Sequence, residues 1–150
     1  MEKKKYGKEK ESDLKLVVTL ARCAQAVRRA EESWIKERGV TLAQFGVIEV
    51  LYHKGNLKVG EIIEKTLSTA GNMTVVIDNL AKEGYVKKYK NPEDKREYIV
   101  EISEKGREFM ENFFPEHIEN LSGILKALDS KEKEKMIKLC KKLGKSIDKI

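Results

Sequence analysis

The segment of residues 57–106 constrains the fold of this chain more than any other. Two short amphipathic stretches open it, and two runs rich in β-forming residues, Tyr85–Tyr89 and Glu97–Ile102, follow them. Residues 91–94, with the sequence Asn-Pro-Glu-Asp, lie between the two runs and favour a turn. The segment therefore predicts a pair of helices followed by one β-hairpin, the only hairpin that the sequence indicates. Basic residues follow the turn directly, so the tip of this hairpin is positively charged.

Two longer helices are predicted before this segment. Apolar residues between positions 16 and 34 recur in steps of three and four, which predicts one amphipathic helix from Ser12 to about Glu37, capped by Ser12. Thr41 is predicted to cap a second helix, which ends near His53. The residues that this second helix is expected to bury are Phe45, Ile48, Val50 and Leu51.

The helix pair itself is predicted from shorter patterns. The third helix covers about residues 58–65, and the fourth begins near residues 69–71 and runs to about Glu83, where Gly84 ends it. In the fourth helix, apolar residues at i, i+3, i+4 and i+7 predict one buried face, which consists of Met73, Val76, Ile77 and Leu80. The opposite, exposed face carries Asn72, Val75, Asn79 and Lys82.

Two more helices are predicted after the hairpin. Ser103 caps a fifth helix, which Pro115 is expected to interrupt or restart. A sixth helix, rich in Lys and Glu, begins near Ser130 and carries an apolar stripe made of Met136, Ile137, Leu139, Cys140, Leu143 and Ile147.

The fold class that follows is mainly α with one β-hairpin wing. The chain has no internal repeat and no long flexible linker, so residues 1–150 are predicted to form a single domain. Within it, residues 40–106 form a winged helix-turn-helix lobe. The helices of residues 12–38 and 107–150 frame this lobe and are expected to pair two copies of the chain.

Composition limits the classes of function. The net charge of +6 favours a polyanionic partner. No apolar run approaches the roughly 18 residues of a membrane span, and the basic start has no apolar stretch behind it, so we expect a cytoplasmic protein without membrane contact. The two histidines, His53 and His117, are far apart and no nucleophile motif is present, which predicts no enzymatic activity, no metal site and no cofactor.

The fourth helix and the hairpin carry the residues that suit duplex DNA. Short polar residues near a helix N-terminus allow close approach to base edges, and Asn72 can bond bidentately to adenine. Taken alone, residues 68–72 are better explained as a cap and turn, and the hairpin is what favours DNA contact. The hairpin tip adds Arg96, whose guanidinium suits a narrow minor groove, and Asp94 can orient it.

Several short segments together match one protein family. They are Gly71-Asn72-Met73-Thr74, Asp78-Asn79-Leu80, Glu83-Gly84-Tyr85-Val86, Asp94-Lys95-Arg96 and Ile102-Ser103-Glu104-Lys105-Gly106. On these segments, residues from about 40 to 106 resemble the winged helix-turn-helix core of the MarR family of bacterial and archaeal transcriptional regulators. The terminal helices fit the same pattern. The resemblance implies a triangular homodimer, held together by the first, fifth and sixth helices, that binds a pseudopalindromic double-stranded DNA operator and usually represses a gene.

The resemblance also implies roles for single residues. Asn72 and its neighbours would face bases, Thr74 and Asn79 would lie near phosphates, and Arg96 would enter the minor groove. The whole predicted DNA-binding set is Thr69, Gly71, Asn72, Thr74, Val75, Asn79, Lys88, Lys90, Asp94, Lys95 and Arg96. Val75 occupies a position where some members have a long polar side chain, so readout of DNA shape is expected to weigh more here.

Regulation is less constrained by the sequence. Members of the family commonly respond to small aromatic or phenolic compounds in a pocket between the dimer helices and the DNA-binding lobe, and the candidate lining residues here are Trp34, Phe45, Tyr52 and His53. Their helical spacing favours plain core packing over a ligand role.

Two alternatives stay open. One is a thiol-based redox response through Cys23; in the peroxide-sensing branch, however, the first-helix thiol would align near Val17, and Cys23 instead lies on the apolar stripe with the character of a small hydrophobe. The other is a winged-helix module that binds another protein and no specific DNA.

Overall fold

The computed structural model describes residues 6–66 and 70–147, without the side chain of Ala70. In these ranges the chain is mainly helical, and its middle part also contains one small β-sheet. The elements are α1 (Lys8–Lys36), α2 (Leu42–Lys54), β1 (Leu57–Lys58), α3 (Val59–Thr66), α4 (Ala70–Lys82), β2 (Val86–Lys90), β3 (Tyr98–Ile102), α5 (Glu104–Ile124) and α6 (Ser130–Ile147). The predicted fold class is confirmed.

The sheet consists of three antiparallel strands in the order β1-β3-β2. The predicted hairpin is β2 and β3, whose register pairs Val86 with Ile102 and Lys90 with Tyr98. The strand β1 was not predicted, because two residues are too few for an alternating pattern. It pairs Leu57 with Val100 and so fastens the start of the helix pair to the wing.

The core of the protein lies in the middle lobe. The four predicted core residues of α4 are all buried there, as are Phe45, Ile48 and Leu51 of α2. The prediction for Val50 was wrong, because this side chain is only half-buried and Val47 takes the buried position instead. The strands and α5 complete the core with Val86, Val100, Ile102, Met110 and Phe113.

The helix ends follow local rules at α2 and depart from them at α1. At α2 the Thr41 hydroxyl accepts from the Gln44 amide at 3.1 Å and the Gln44 side chain accepts from the Thr41 amide at 2.9 Å, a complete capping box that confirms Thr41 as the cap. At α1 the predicted cap was wrong, because the helix begins at Lys8 and encloses Ser12. The Lys and Glu residues before Ser12 favour a helix by themselves, so the helix continues through them.

Helix α5 begins as predicted but does not break where predicted. The Ser103 hydroxyl accepts from the Gly106 amide at 3.1 Å, which confirms the cap. Pro115 lies inside the helix rather than at an interruption. An internal proline costs a helix about 3 kcal/mol, so packing around it must offset this cost. Phe113 and His117, on either side of Pro115, are both buried and supply that packing.

The terminal helices present apolar side chains to solvent in the single chain. Helix α6 begins at Ser130, as predicted, and no residue of it is buried. Its predicted stripe is exposed throughout, and so is Cys23 of α1, contrary to the expectation of a buried small hydrophobe. A groove of about 670 Å³ between α1 and α6 is lined mainly by apolar residues, among them Leu16, Leu20, Met136, Leu139 and Leu143.

Candidate nucleic-acid interface

Helix α4 presents a polar outer face opposite its buried face. Asn72, Val75, Asn79 and Lys82 are all exposed, as the pattern predicted. Thr74 and Gly71 are exposed as well, and no other group lies within 4 Å of where a Cβ on Gly71 would stand. The predicted contact residue Thr69 lies outside the described residues.

The tip of the wing holds one arginine in a fixed geometry. The Asp94 Oδ1 atom accepts from the backbone amide of Arg96 at 3.0 Å and from its Nε at 3.1 Å, while Asp94 Oδ2 accepts from Arg96 Nη2 at 3.0 Å. These hydrogen bonds lower the pKa of Asp94 and raise that of Arg96. The Arg96 side chain is nevertheless 90% exposed, so a charged guanidinium is oriented and available at the same time.

The base of the wing is held by a polar network that sequence analysis missed. Asn91 is 5% exposed; its Nδ2 donates to Glu97 Oε2 at 3.1 Å and its Oδ1 accepts from the Glu93 amide at 3.1 Å. Glu97 Oε2 also accepts from Lys58 Nζ of β1 at 2.7 Å. The Lys58 and Asn91 hydrogen bonds lower the pKa of Glu97. Asn91 before Pro92 was the available signal, since asparagine at a turn start bonds to the backbone two residues on.

The lysines of the wing fall into two groups. Lys90 and Lys95 are exposed. Lys88 Nζ instead lies 2.7 Å from Asp78 Oδ1 of α4 and 4.8 Å from the centre of the Tyr98 ring, and only 20% of its side chain is exposed. The ion pair therefore connects the wing to α4. A groove of about 540 Å³ runs between these parts, with Thr74, Lys88 and Arg96 among its lining residues.

A second cavity, of about 690 Å³, lies among the helices α1 to α5. Of the four predicted ligand-binding residues, Phe45 and His53 line it. Trp34 packs instead against the Phe113 ring at 4.9 Å, with the Arg38 guanidinium 3.5 Å above its own ring, and Tyr52 packs against His53 at 5.2 Å. The cavity also reaches Asn72 and Met73 at the start of α4. The outer face of α4 and the cavity thus share Asn72.

His117 is the unexpected member of the cavity lining. It is 3% exposed, its ring lies 4.7 Å from that of Phe45, and its Nδ1 atom has no hydrogen-bond partner among the described residues. Burial lowers the pKa of His117, so the ring is neutral at pH 7. A buried polar atom without a partner is costly, which makes it a ready site for a ligand hydroxyl or carbonyl.

Residues 6–66 and 70–147 contain neither a metal-binding cluster nor a membrane-spanning helix. No group of three or more His, Cys, Asp or Glu side chains there is placed to hold a metal ion. Within the same ranges, no helix is both long and apolar enough to cross a membrane.

Comparisons with known proteins agree with this geometry. A family model described as "MarR family" matches residues 40–98. The uncharacterised HTH-type transcriptional regulator YkoM of Bacillus subtilis is 31% identical over 136 residues, which cover 91% of this chain and 88% of YkoM. A MarR-like transcription regulator from Bacillus cereus has a TM-score of 0.81 at 25% identity, covering 91% of this chain and 98% of the other.

A solved complex shares the fold as well. A mutant of MarR from Escherichia coli, crystallised with operator DNA, has a TM-score of 0.80 at 22% identity, and the match covers 91% of this chain and 99% of that one. The similarity to proteins of this class therefore extends over nearly the whole length of the chain.

Proposed function

The chain belongs to the MarR family of transcriptional regulators, and from this premise we propose that it is a homodimeric, sequence-specific DNA-binding regulator that represses transcription. The observation that carries the proposal is the Asp94–Arg96 pair at the wing tip. A guanidinium that is oriented and 90% exposed is suited to insertion into a negatively charged minor groove. Residues of α4 then face the adjacent major groove.

Helix α4 has the surface that reading of bases requires. Asn72 is exposed in its first turn, and the free space at Gly71 lets a DNA backbone approach the helix closely. Asn72 offers a bidentate partner for adenine, and the N-terminal end of a helix favours phosphate. Val75, exposed in the next turn, offers only apolar contact, for example with a thymine methyl group.

The dimer is proposed to form through the terminal helices. Exposed apolar side chains on α1 and α6, with Ile118 of α5 and Leu125 just after it, would bury against a second copy. Residues 40–106 form the DNA-binding lobe in this proposal, and residues 12–38 and 107–150 form the dimerisation helices. Two lobes related by a two-fold axis would bind a pseudopalindrome whose half-site centres lie about 10 bp apart.

The cavity beside α4 is proposed to bind a small aromatic effector. It offers an apolar wall at Phe45 and, at His117, a polar atom that has no partner in the described part of the chain, and it reaches the base-reading residue Asn72. A ligand that binds better when α4 is displaced from DNA would shift the population toward the free protein. The solved structure of BpsR from Bordetella bronchiseptica, whose DNA binding is regulated by 6-hydroxynicotinic acid, shares this fold with a TM-score of 0.79.

The proposal describes a protein that acts by binding rather than by catalysis. The relatives that match most of the chain are named transcriptional regulators, which supports a non-enzymatic role. Because its target is DNA, we place its action in the cytoplasm.

Specific binding can be tested by fluorescence anisotropy with the purified protein. The probe is a duplex from the upstream intergenic region of its own gene, and a scrambled duplex of equal length is the control. We expect a preference of about 10³ or more for the upstream duplex. If both duplexes bind weakly and equally, a selection from random-sequence duplexes follows. Failure to enrich any sequence would reject DNA binding and favour a protein-binding module.

A further inference from the structure

Two carboxylates on neighbouring helices line the cavity beside α4. Glu31 comes from α1 and Glu49 from α2, and both side chains are half-buried. Burial is the largest cause that raises the pKa of each, and the charge of Glu31 raises the pKa of Glu49 further. Within the described parts of the chain, neither carboxylate makes an ion pair within 4 Å. They form a desolvated negative site without a matching cation.

The cations on the same cavity do not neutralise this site. The Arg28 Nε atom lies 3.5 Å from Glu32 Oε1, and the Arg28 side chain is 69% exposed, so water screens its charge. Lys54 and Lys65 are exposed as well, so water screens their charges. Arg28 lowers the pKa of Glu31 and His53 that of Glu49, but in both cases the effect is smaller than that of burial.

The inner part of the cavity suits an aromatic ring. Phe45, Met73 and Leu121 supply apolar walls. His117, which is 97% buried, contributes a polar atom that no group within residues 6–66 and 70–147 hydrogen-bonds. A volume of about 690 Å³ is in the range of cavities that hold small organic ligands. A ligand with an aromatic ring in the apolar part and a polar group beside the two carboxylates would bind to both parts of the cavity.

We propose that this cavity binds a positively charged aromatic compound, an aromatic amine, and discriminates against aromatic carboxylates. The ammonium group lies between Glu31 and Glu49, where it replaces the water that the carboxylates have lost, and the ring lies beside Phe45 and His117. An aromatic acid in the same place would add a third desolvated negative charge. This inference rests on the proposed function of a regulator with an effector cavity and names the charge of the effector.

Three probes with one ring system test the charge preference. Tryptamine, 3-methylindole and indole-3-acetate share the indole ring and are cationic, neutral and anionic at pH 7.5. Isothermal titration calorimetry on the full-length protein is expected to give a dissociation constant for tryptamine at least tenfold below that for indole-3-acetate. Equal affinity, or tighter binding of the acid, would overturn the proposal.

Matched variants locate the preference. The double variant Glu31→Gln, Glu49→Gln should lose the preference for tryptamine over indole-3-acetate, while binding of 3-methylindole stays unchanged. The control is Glu37→Gln, which removes an exposed carboxylate at the end of α1 that does not line the cavity. It should keep the full preference. A double variant that still prefers the amine as strongly as the wild type would refute the assignment.

DNA binding separates failure of this inference from failure of the proposed function. Fluorescence anisotropy is measured on the same preparations with the duplex that binds specifically, either the upstream duplex or one from the random-sequence selection. Specific DNA binding also shows that the variants are folded. A protein that binds this duplex specifically but none of the three indoles at millimolar concentration contradicts the cationic-effector inference alone. A protein that binds tryptamine with the expected preference but no duplex contradicts the proposed function alone.

Discussion

The Asp94 carboxylate accepts three hydrogen bonds from Arg96, at 3.0, 3.1 and 3.0 Å, although the Arg96 side chain remains 90% exposed. The acidic residue therefore reduces the positive charge at the wing tip but fixes the direction of the guanidinium. For binding to a polyanion, these two effects have opposite signs.

The substitution Asp94→Ala separates the two effects. Simple electrostatics predicts tighter DNA binding, because a negative charge is removed. We expect weaker binding, by about 2- to 10-fold, because ordering a free arginine side chain on DNA costs about 0.5–1.5 kcal/mol. Anisotropy at one salt concentration measures the difference. The matched control is Glu93→Ala, which removes a neighbouring exposed charge and should bind slightly more tightly.

Replacing Gly106 or Gly123 of α5 by alanine should change the free energy of unfolding in opposite directions. A Cβ on Gly106 would collide with the Tyr85 carbonyl oxygen and stand 2.7 Å from Ile102 Cγ1, whereas nothing lies within 4 Å of one on Gly123. Gly106→Ala should lower the free energy of unfolding by about 1–3 kcal/mol, as overpacking does. Gly123→Ala should raise it by up to about 0.5 kcal/mol, since alanine has the higher helix propensity but Gly123 lies in the last turn. Urea denaturation measures both; a stabilised Gly106→Ala would contradict the close packing of α5 on the wing.

His117 should make the protein sensitive to acid. Burial lowers its pKa below the unfolded value of 6.5, so its contribution to stability is present above pH 6.5 and is lost as the pH falls toward the folded pKa. Its ring packs against the rings of Trp34, Phe45, Phe113 and Phe114, none of which titrates, and the carboxylates of Glu31 and Glu49 line the same cavity.

The variant His117→Phe tests this effect, because it keeps an aromatic ring and removes the titration. Thermal unfolding of both proteins is followed from pH 7.5 to pH 5. The wild type should lose stability more steeply than the variant below pH 6.5. Parallel profiles would show that His117 is not a source of the acid sensitivity.

The exposed face of α6 should hold the dimer together. Leu139 is 56% exposed in the single chain and lines the groove between α1 and α6. Leu139→Glu should shift the protein from dimer toward monomer in sedimentation velocity and weaken operator binding with it, because a carboxylate would be buried at the interface. Lys138→Gln changes the net charge equally at a neighbouring exposed position and should leave the dimer intact. A dimeric Leu139→Glu protein would place the interface elsewhere.

Local patterns predicted most of the fold, and contacts between distant elements account for what they missed. The capping box of α2 and the buried face of α4 depend on residues three or four apart, so the sequence displays them directly. The strand β1 exists because Leu57 pairs with Val100, and Pro115 stays helical because Phe113 and His117 are buried on either side of it. No short window of sequence contains those contacts.

The candidate site also has features that the sequence predicts and features that depend on contacts between distant elements. Asp94 and Arg96 are two residues apart and could be paired from the sequence alone. The burial of His117 depends on rings from α1, α2 and α5, and the repulsion between Glu31 and Glu49 depends on how α1 crosses α2. Trp34 and Tyr52 were good candidates by residue type, but the structure places them outside the cavity lining.

The most direct test of the account compares wild type and Arg96→Ala on the selected operator duplex across a salt series. The account predicts a sharp loss of affinity. It also predicts that the slope of the logarithm of the binding constant against the logarithm of the salt concentration becomes smaller by about 1, because the positive charge of Arg96 no longer contacts the DNA backbone. An Arg96→Ala protein that binds this operator as tightly as the wild type, with the same salt slope, would contradict the claim that the braced wing tip holds the DNA.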